Sequence, residues 1–308
     1  MDNITKHITP LNKYDIQRGE IFKKYNLNLN LIINKYPTTF GRLSKSAYYC
    51  PLCLKGFEIN ATIGPKPHLT LEHVIPESVG GKKKVLTCMS CNNNMGARVD
   101  SQLSKHIDAI KFLNNEPTGK IDTIFCFRSG LNLKGKVSHK DSSGNKLLLS
   151  SNTNKFLEDK LETFFKNNGK LDMLFNLPTK KTIVQGVVKS AFLYAFYKLG
   201  YGFIFTKYGQ ILRDSILNNS ESLEYILIDS NLKPGLYLIE SPSDCDGYIV
   251  SLNINNLTFC TVLPGSSENY IFKNMKKPTQ LKFRFIDHFD IFNNVDQFHW
   301  PFTHWYNK

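Results

Sequence analysis

The chain has 308 residues, of which 41% are hydrophobic, and its 39 Lys and Arg residues exceed its 26 Asp and Glu residues by enough to give a net charge of +13. This length and apolar content suffice for a sizeable core, and the positive charge favours a polyanionic partner, nucleic acid first and an anionic membrane surface second. A membrane span is not expected, because no run of 18 apolar residues occurs and the most apolar helix candidate, 183–199, is interrupted by Gln185, Lys189 and Lys198.

The chain reads as an α+β protein with three parts. Residues 1–45 form helical patches, an N-terminal arm or support, and carry no apolar signal-peptide core, so a cytoplasmic location is expected. Residues 46–115 hold the motifs described below. Residues 116–308 are predicted to contain a small β-hairpin sheet, helices at about 155–217 and antiparallel β-structure at about 222–287. This last region is a candidate for target recognition, dimerisation or regulation.

Two Cys-x-x-Cys pairs lie within residues 46–115. The first is Cys50 with Cys53, and the second is Cys88 with Cys91. Four cysteines in two short knuckles supply enough thiolates to close a tetrahedral zinc site. In a reducing compartment they are expected to bind metal rather than to form disulfides.

The residues between the two pairs predict a strand, a loop, a strand and then a helix. Leu71–Ile75 is a short β run, a loop carrying Gly80 and Gly81 follows, Val85–Thr87 is the second strand, and a helix begins just after the second knuckle. So short a unit cannot bury enough apolar surface to hold a hairpin on a helix, so the zinc thiolates are expected to staple them together.

This segment resembles the HNH endonuclease family. The resemblance covers residues 47–100 and depends on the flanking cysteine pairs, on the run Glu72-His73-Val74-Ile75-Pro76, and on Asn92 directly after the last cysteine. The family has a ββα-metal fold, in which an acid and a histidine on the first strand face a His or Asn on the helix. This chain departs from the family in having Glu72 where Asp is commoner, and in lacking an asparagine just before the second strand.

The resemblance implies a role for each matching residue. His73 corresponds to the general base that takes a proton from the attacking water, and an imidazole suits this role because much of it is neutral near pH 7. Glu72 and Asn92 correspond to the ligands of a divalent ion, Mg²⁺ or Mn²⁺, since carboxylate and amide oxygens are hard ligands. Asn93 and then Asn94 are the alternatives to Asn92. The products would carry 5′-phosphate and 3′-hydroxyl ends.

Basic residues near these positions are candidates for nucleic-acid binding. Lys82, Lys83 and Lys84 precede the second strand, and Arg98 lies on the helix. Phosphate contacts beside the scissile bond are one interpretation; a solvated loop tip, with Arg98 facing water, is the other.

A cluster of aromatic residues lies farther along the chain. These residues could stack on flipped bases, but core packing is the favoured interpretation. They are Phe192, Tyr194, Phe196, Tyr197, Tyr201, Phe203 and Phe205.

The function predicted from the sequence is a metal-dependent HNH endonuclease that cuts DNA, in a setting such as restriction or phage defence. One active site cuts one strand, so a monomer should nick, and double-strand cleavage needs a homodimer or two encounters; a partner protein of a defence system is a further candidate. The first alternative is a non-catalytic nucleic-acid-binding subunit whose four cysteines form a purely structural zinc ribbon. The second is an RNA-directed nuclease.

Overall fold

The computed structural model describes residues 11–127, 130–141, 143, 147–151, 162–164, 166, 170–218, 232–241, 247–264 and 282–286. The chain divides into two compact units, one formed by Met1–Ala97 with Val187–Lys308 and the other by Arg98–Gly186. Both contain helices and antiparallel sheets, which confirms the α+β class. Parts of the predicted accessory elements, among them 152–161, 222–231 and 265–281, lie outside the described residues.

The first unit begins with helix α1, Lys13–Lys35. Asn12 caps it by accepting hydrogen bonds from the backbone nitrogens of Tyr14 and Asp15, and the Asp15 carboxylate in turn accepts from the Asn12 nitrogen at 3.1 Å. This reciprocal capping box fixes where the helix starts. Its buried face recurs at helical spacing, and a short helix α2, Pro37–Phe40, follows. The apolar residues of that face are Phe22, Tyr25, Leu29, Ile32 and Ile33.

Next come two small antiparallel hairpins and a helix. Strands β1, Tyr48–Tyr49, and β2, Gly56–Phe57, form the first hairpin. A 3-10 turn at Ile59–Thr62 leads to β3, Leu69–His73, which pairs with β4, Lys83–Cys88, across a loop that contains a 3-10 turn at Glu77–Val79. Helix α3, Met89–Met95, starts directly after β4. The order strand, loop, strand, helix is the one that the motif predicts. The bounds differ from those expected, because β3 lies two residues earlier and α3 begins at Met89, within the second knuckle rather than after it.

The remaining helices of the first unit supply its aromatic core. Helix α5, Lys180–Leu199, enters this unit at Val187 and is followed by α6, Tyr201–Ile204, and α7, Lys207–Asn218. The Tyr25 ring stacks on Phe196 with 4.5 Å between centroids, and the Tyr201 hydroxyl donates to the Tyr49 carbonyl at 2.8 Å. Core packing is thereby confirmed for five of the seven aromatic residues: Phe192, Phe196, Tyr201, Phe203 and Phe205 are fully buried.

A four-stranded antiparallel sheet completes the first unit. Its strands are β9, Gly235–Ser241, β10, Gly247–Ile254, β11, Leu257–Pro264, and β12, Lys282–Ile286, in the order β11-β10-β9-β12. Asn255 and Asn256 both have positive φ, as a two-residue hairpin turn between β10 and β11 requires.

The second unit has its own helix and sheet. After a π-helical turn at Gly96–Asp100, helix α4 covers Ser101–Leu113. The sheet has the order β7-β6-β5-β8 and is antiparallel throughout. Its core contains Phe125, Phe127 and Val137. The strands are β5, Lys120–Phe127, β6, Asn132–His139, β7, Leu147–Ser151, and β8, Leu171–Phe175.

Candidate zinc site and active site

The four cysteines converge at one end of the β3–β4 hairpin. Their sulfur atoms all lie within 4.8 Å of one another, and the Sγ atoms of Cys53 and Cys88 are 3.7 Å apart. A tetrahedral zinc ion with Zn–S bonds of about 2.3 Å places its sulfur ligands about 3.8 Å apart. The cluster therefore fits a structural zinc ion.

Backbone geometry presents these thiols to a common point. The first pair lies in the turn between β1 and β2, where the Cys50 nitrogen donates to the Lys55 carbonyl at 2.9 Å. In the second pair, Cys88 ends β4 and caps α3, its sulfur accepting from the Cys91 nitrogen at 3.4 Å. The Cys88 nitrogen also donates to the Cys50 sulfur at 3.3 Å, which joins the two knuckles directly.

The pKa values of the clustered thiols shift in opposite directions. Burial, reinforced by the neighbouring thiols, raises the pKa of Cys50 well above its usual range. Hydrogen bonding with Cys50 instead lowers the pKa of Cys88 to about 7. The fold therefore favours the thiolate form of Cys88, which is the form that a zinc ion binds.

The opposite end of the same hairpin carries His73. The strand register shifts between Glu72 and His73, an irregularity that changes the direction of the side chains at the end of β3. The His73 imidazole is 19% exposed, with Nε2 at 3.6 Å from the carboxylate of the exposed Glu77. It lines an open cleft of about 650 Å³ together with Lys82–Lys84 and residues at the start of α1.

Glu72, one residue earlier, is buried and ion-paired. Its side chain is 3% exposed, and its Oε1 accepts a hydrogen bond from the Lys189 ammonium at 2.5 Å. Its Oε2 accepts from the Thr87 hydroxyl at 3.3 Å. Lys189, on α5, is fully buried, and its role was not predicted from the sequence. The available signal was a lysine in the middle of the most apolar helix candidate, since a fully buried lysine is rare unless it is paired.

Asn92 joins the first turn of α3 to β3. Its Nδ2 donates to the Thr70 hydroxyl at 2.8 Å and to the Leu71 carbonyl at 3.4 Å. Asn93 and Asn94 are exposed. Of the three adjacent asparagines, Asn92 is therefore the one that lies against the strand bearing Glu72 and His73.

The hairpin, the cysteines and α3 all lie in a segment that matches a known family. Residues 50–108 match the family model described as HNH endonuclease. The resemblance inferred from the motifs is thereby confirmed for this segment, and an HNH nuclease domain implies nucleic-acid binding. No curated protein and no solved structure matched the chain.

HNH nucleases usually use a divalent metal. In this segment, Glu72 and Asn92 are the residues whose side chains are predicted to bind one. Carboxylate and carboxamide oxygens, as on Glu72 and Asn92, are hard ligands of the kind that Mg²⁺ or Mn²⁺ binds, so the donor chemistry fits. The Lys189 ammonium already compensates the Glu72 charge, so an ion bound there would share this carboxylate. Within the described part of the chain, the cysteines are the one group of three or more His, Cys, Asp or Glu side chains placed to hold a metal ion.

The predicted nucleic-acid contacts of the HNH segment lie at the start of β4 and just after α3. Lys82 is exposed, the Lys83 ammonium lies 5.0 Å from the centre of the Tyr14 ring, and the Lys84 ammonium lies 5.6 Å from that of Tyr197. Arg98 is exposed. Two of the three lysines thus lie on aromatic rings.

Among the described residues, no helix is long and apolar enough to cross a membrane.

Proposed function

We propose that the chain is an HNH-type endonuclease that hydrolyses DNA phosphodiester bonds. The observation that carries this proposal is the position of His73: a partly exposed imidazole in a lysine-lined cleft, on a hairpin whose other end has the geometry of a zinc site, inside the segment that matches the HNH endonuclease model. A cleft with basic walls attracts and retains a polyanionic substrate.

In this proposal, His73 is the general base. Its imidazole takes a proton from a water molecule, the water oxygen attacks phosphorus, and the bond from phosphorus to the 3′ oxygen breaks. The departing 3′ oxygen takes up a proton from solvent water. The products are a 5′-phosphate and a 3′-hydroxyl. Glu72 and Asn92 would hold a divalent ion, Mg²⁺ or Mn²⁺, which supplies positive charge to the phosphate and to the leaving oxygen.

The lysines at the start of β4 would position the substrate. Lys82 and Lys83 line the cleft with His73. A strand entering the cleft would therefore bring its phosphates near them. Contacts of this kind fix the orientation of the nucleic acid without reading its sequence. One set of catalytic residues per chain cuts one strand, so a monomer nicks, and double-strand cleavage needs a homodimer or two encounters. Restriction or phage defence is the setting we propose, with a partner protein of such a system as a candidate.

The test is cleavage of supercoiled plasmid with Mg²⁺ or Mn²⁺, comparing wild type with His73→Ala. General-base catalysis contributes roughly 10²- to 10⁴-fold, so His73→Ala should lose nicking by about that factor while keeping its zinc content. The matched control is His68→Ala, because His68 is an exposed histidine just before the same strand. It should nick like wild type.

Two results would contradict the proposal. Nicking by His73→Ala at the wild-type rate would remove His73 from the chemistry. Plasmid binding without metal-dependent nicking by wild type would favour the non-catalytic binding subunit. A matched RNA duplex belongs in the same assay, because cleavage of RNA in preference to DNA would identify an RNA-directed nuclease.

A further inference from the structure

Three lysines surround the ring of Tyr197, and we call these four residues the Tyr197 cluster. The ammonium groups of Lys24, Lys84 and Lys198 lie 5.3, 5.6 and 5.7 Å from the ring centroid. They come from three elements, α1, β4 and α5, all within the first unit. Lys24, Tyr197 and Lys198 lie outside the segment that matches the HNH family.

The arrangement concentrates positive charge at one place. Burial, together with the charges of Lys198 and Lys84, lowers the pKa of Lys24 to about 8. Lys84, Lys198 and the rings of Tyr25 and Tyr197 are among the groups that face Lys24. The ring faces attract the ammonium groups, whereas the ammonium groups repel one another. A bound anion would relieve this repulsion.

A lysine covering an aromatic ring is common on protein surfaces, where the stem packs and the charge stays in water. Lys35 over Tyr36, at 5.7 Å, is an instance of this in the same unit. The Tyr197 cluster differs because three separate elements bring three charges to a single ring. The Lys198 ammonium also lies 6.0 Å from the Tyr194 ring, so both partly exposed aromatic residues of α5 belong to the basic surface.

The cluster adjoins the proposed active site through Lys84. This residue lines the cleft that contains His73, and its ammonium also lies over Tyr197. Lys83, the preceding residue, lies over Tyr14 at the same cleft. The basic surface therefore continues from the His73 cleft onto Tyr197 within the first unit.

We propose that the Tyr197 cluster binds a backbone phosphate of the nucleic acid whose scissile bond lies in the His73 cleft. This inference rests on the proposed function and adds a second contact to it, supplied by residues outside the HNH segment. The contact is to the phosphodiester backbone, so it is independent of base sequence and sensitive to salt.

The test is duplex binding in a His73→Ala background, where cleavage does not interfere, measured by fluorescence anisotropy across a salt series. The test variant combines Lys24→Gln, Lys84→Gln and Lys198→Gln. Loss of one phosphate contact should lower the magnitude of the slope of log K against log salt by about 1 and weaken binding at low salt by about tenfold or more. The matched control combines Lys35→Gln, Lys55→Gln and Lys66→Gln, which removes the same charge from three exposed positions of the same unit.

The outcomes separate this inference from the proposed function. Equal salt slopes for the test and control variants would overturn the Tyr197 cluster alone. Absence of duplex binding by every protein, wild type included, would overturn both proposals. Cluster-dependent binding to phosphatidylglycerol vesicles, with duplex binding unaffected by the substitutions, would show that the cluster serves a membrane surface instead.

A second measurement does not depend on the triple variant folding. A phosphate beside Lys24 stabilises its ammonium form, so duplex binding near pH 8 should take up protons. Calorimetry in two buffers of different ionisation enthalpy detects this uptake. Lys24→Arg stays charged at this pH and should bind the duplex while losing that part of the uptake, whereas unchanged uptake in Lys24→Arg would overturn the role of Lys24.

Discussion

The two ends of the β3–β4 hairpin are held in different ways. At one end, where Leu69 pairs with Cys88, four thiols from two local knuckles converge on the geometry of a zinc site. At the other end, Glu72 is held by Lys189, a residue 117 positions away in sequence. The first end is specified by short-range spacing, and the second depends on how α5 packs within the first unit. The same small hairpin therefore combines a locally specified cysteine cluster, with the geometry of a zinc site, and a long-range buried ion pair.

Disruption of the zinc end of the hairpin, which carries the four cysteines, should have the largest effect on folding. Structural zinc contributes apparent binding free energies of about 10–16 kcal/mol in zinc-finger peptides, and that free energy drives folding. Chelation, or Cys88→Ser, should therefore release the metal and unfold the β3–β4–α3 segment. Atomic emission for zinc and hydrogen exchange of the segment measure the two effects.

The matched control for the zinc end is Cys126→Ser. Cys126 lies on β5 in the second unit, and its thiol donates to the Ile124 carbonyl of its own strand at 3.8 Å. This variant should retain its zinc. A Cys88→Ser protein with full zinc content and unchanged protection would show that the thiols do not hold this end.

Disruption of the ion-pair end of the hairpin, where Glu72 pairs with Lys189, should have the next largest effect on stability. Lys189→Met leaves the Glu72 carboxylate buried without its cation, and removing one partner of a buried pair costs about 3–5 kcal/mol. The double variant Lys189→Met with Glu72→Gln should recover part of this loss, because no uncompensated charge remains. Urea unfolding of the two single variants and the double variant gives the coupling energy, provided that the transitions are two-state.

The control is a partly exposed pair, Lys105 with Asp122 at 2.8 Å in the second unit. Lys105→Met should change stability by only about 0–1 kcal/mol. Zinc content sharpens the comparison further, since Lys189→Met should keep its metal if the two ends are independent. Additive losses in the Glu72–Lys189 cycle would contradict the interpretation of this pair as a coupled unit.

The difference between the two ends also explains what the sequence could and could not predict. Cysteine spacing predicts a zinc site directly, because both ligands of a knuckle lie within one short turn. Glu72 was expected to point toward a metal ion beside Asn92, and its pairing with a helix far along the chain follows from tertiary packing, which no local pattern encodes. Lys189 was visible in the sequence only as a break in an apolar run.

The seven aromatic residues of the run from Phe192 to Phe205 show the same limit of prediction from sequence. Periodicity and composition correctly indicated a core, and five of the seven are fully buried. Tyr194 and Tyr197 are the exceptions. Of the three lysines around Tyr197, Lys198 is its neighbour on α5, whereas Lys24 and Lys84 come from elements that are distant in sequence. Which members of an aromatic run reach the surface depends on the neighbours of the helix, and the sequence alone did not supply these.

Thr87 lies between the two ends of the hairpin, and its substitution should have the smallest effect. It directly precedes Cys88, its hydroxyl donates to Glu72 Oε2 at 3.3 Å, and its carbonyl accepts from the Thr70 hydroxyl at 3.2 Å. Thr87→Val keeps the shape and the strand while removing the hydroxyl donor. The expected loss in the free energy of unfolding is about 1 kcal/mol, and it should shrink in a Glu72→Gln background where the acceptor is no longer charged.

The control for this substitution is Thr123→Val, because the buried Thr123 hydroxyl donates to an uncharged acceptor, the Ile121 carbonyl, at 3.0 Å. Its effect should be the same in the wild-type and Glu72→Gln backgrounds. A zinc affinity that falls in Thr87→Val would show that the thiol end senses the state of Glu72 through this one residue, and the two ends would then have to be treated as a single coupled site. An unchanged zinc affinity with a Glu72-dependent stability loss would instead confine the influence of Thr87 to the ion-pair end, as the direction of its hydrogen bond predicts.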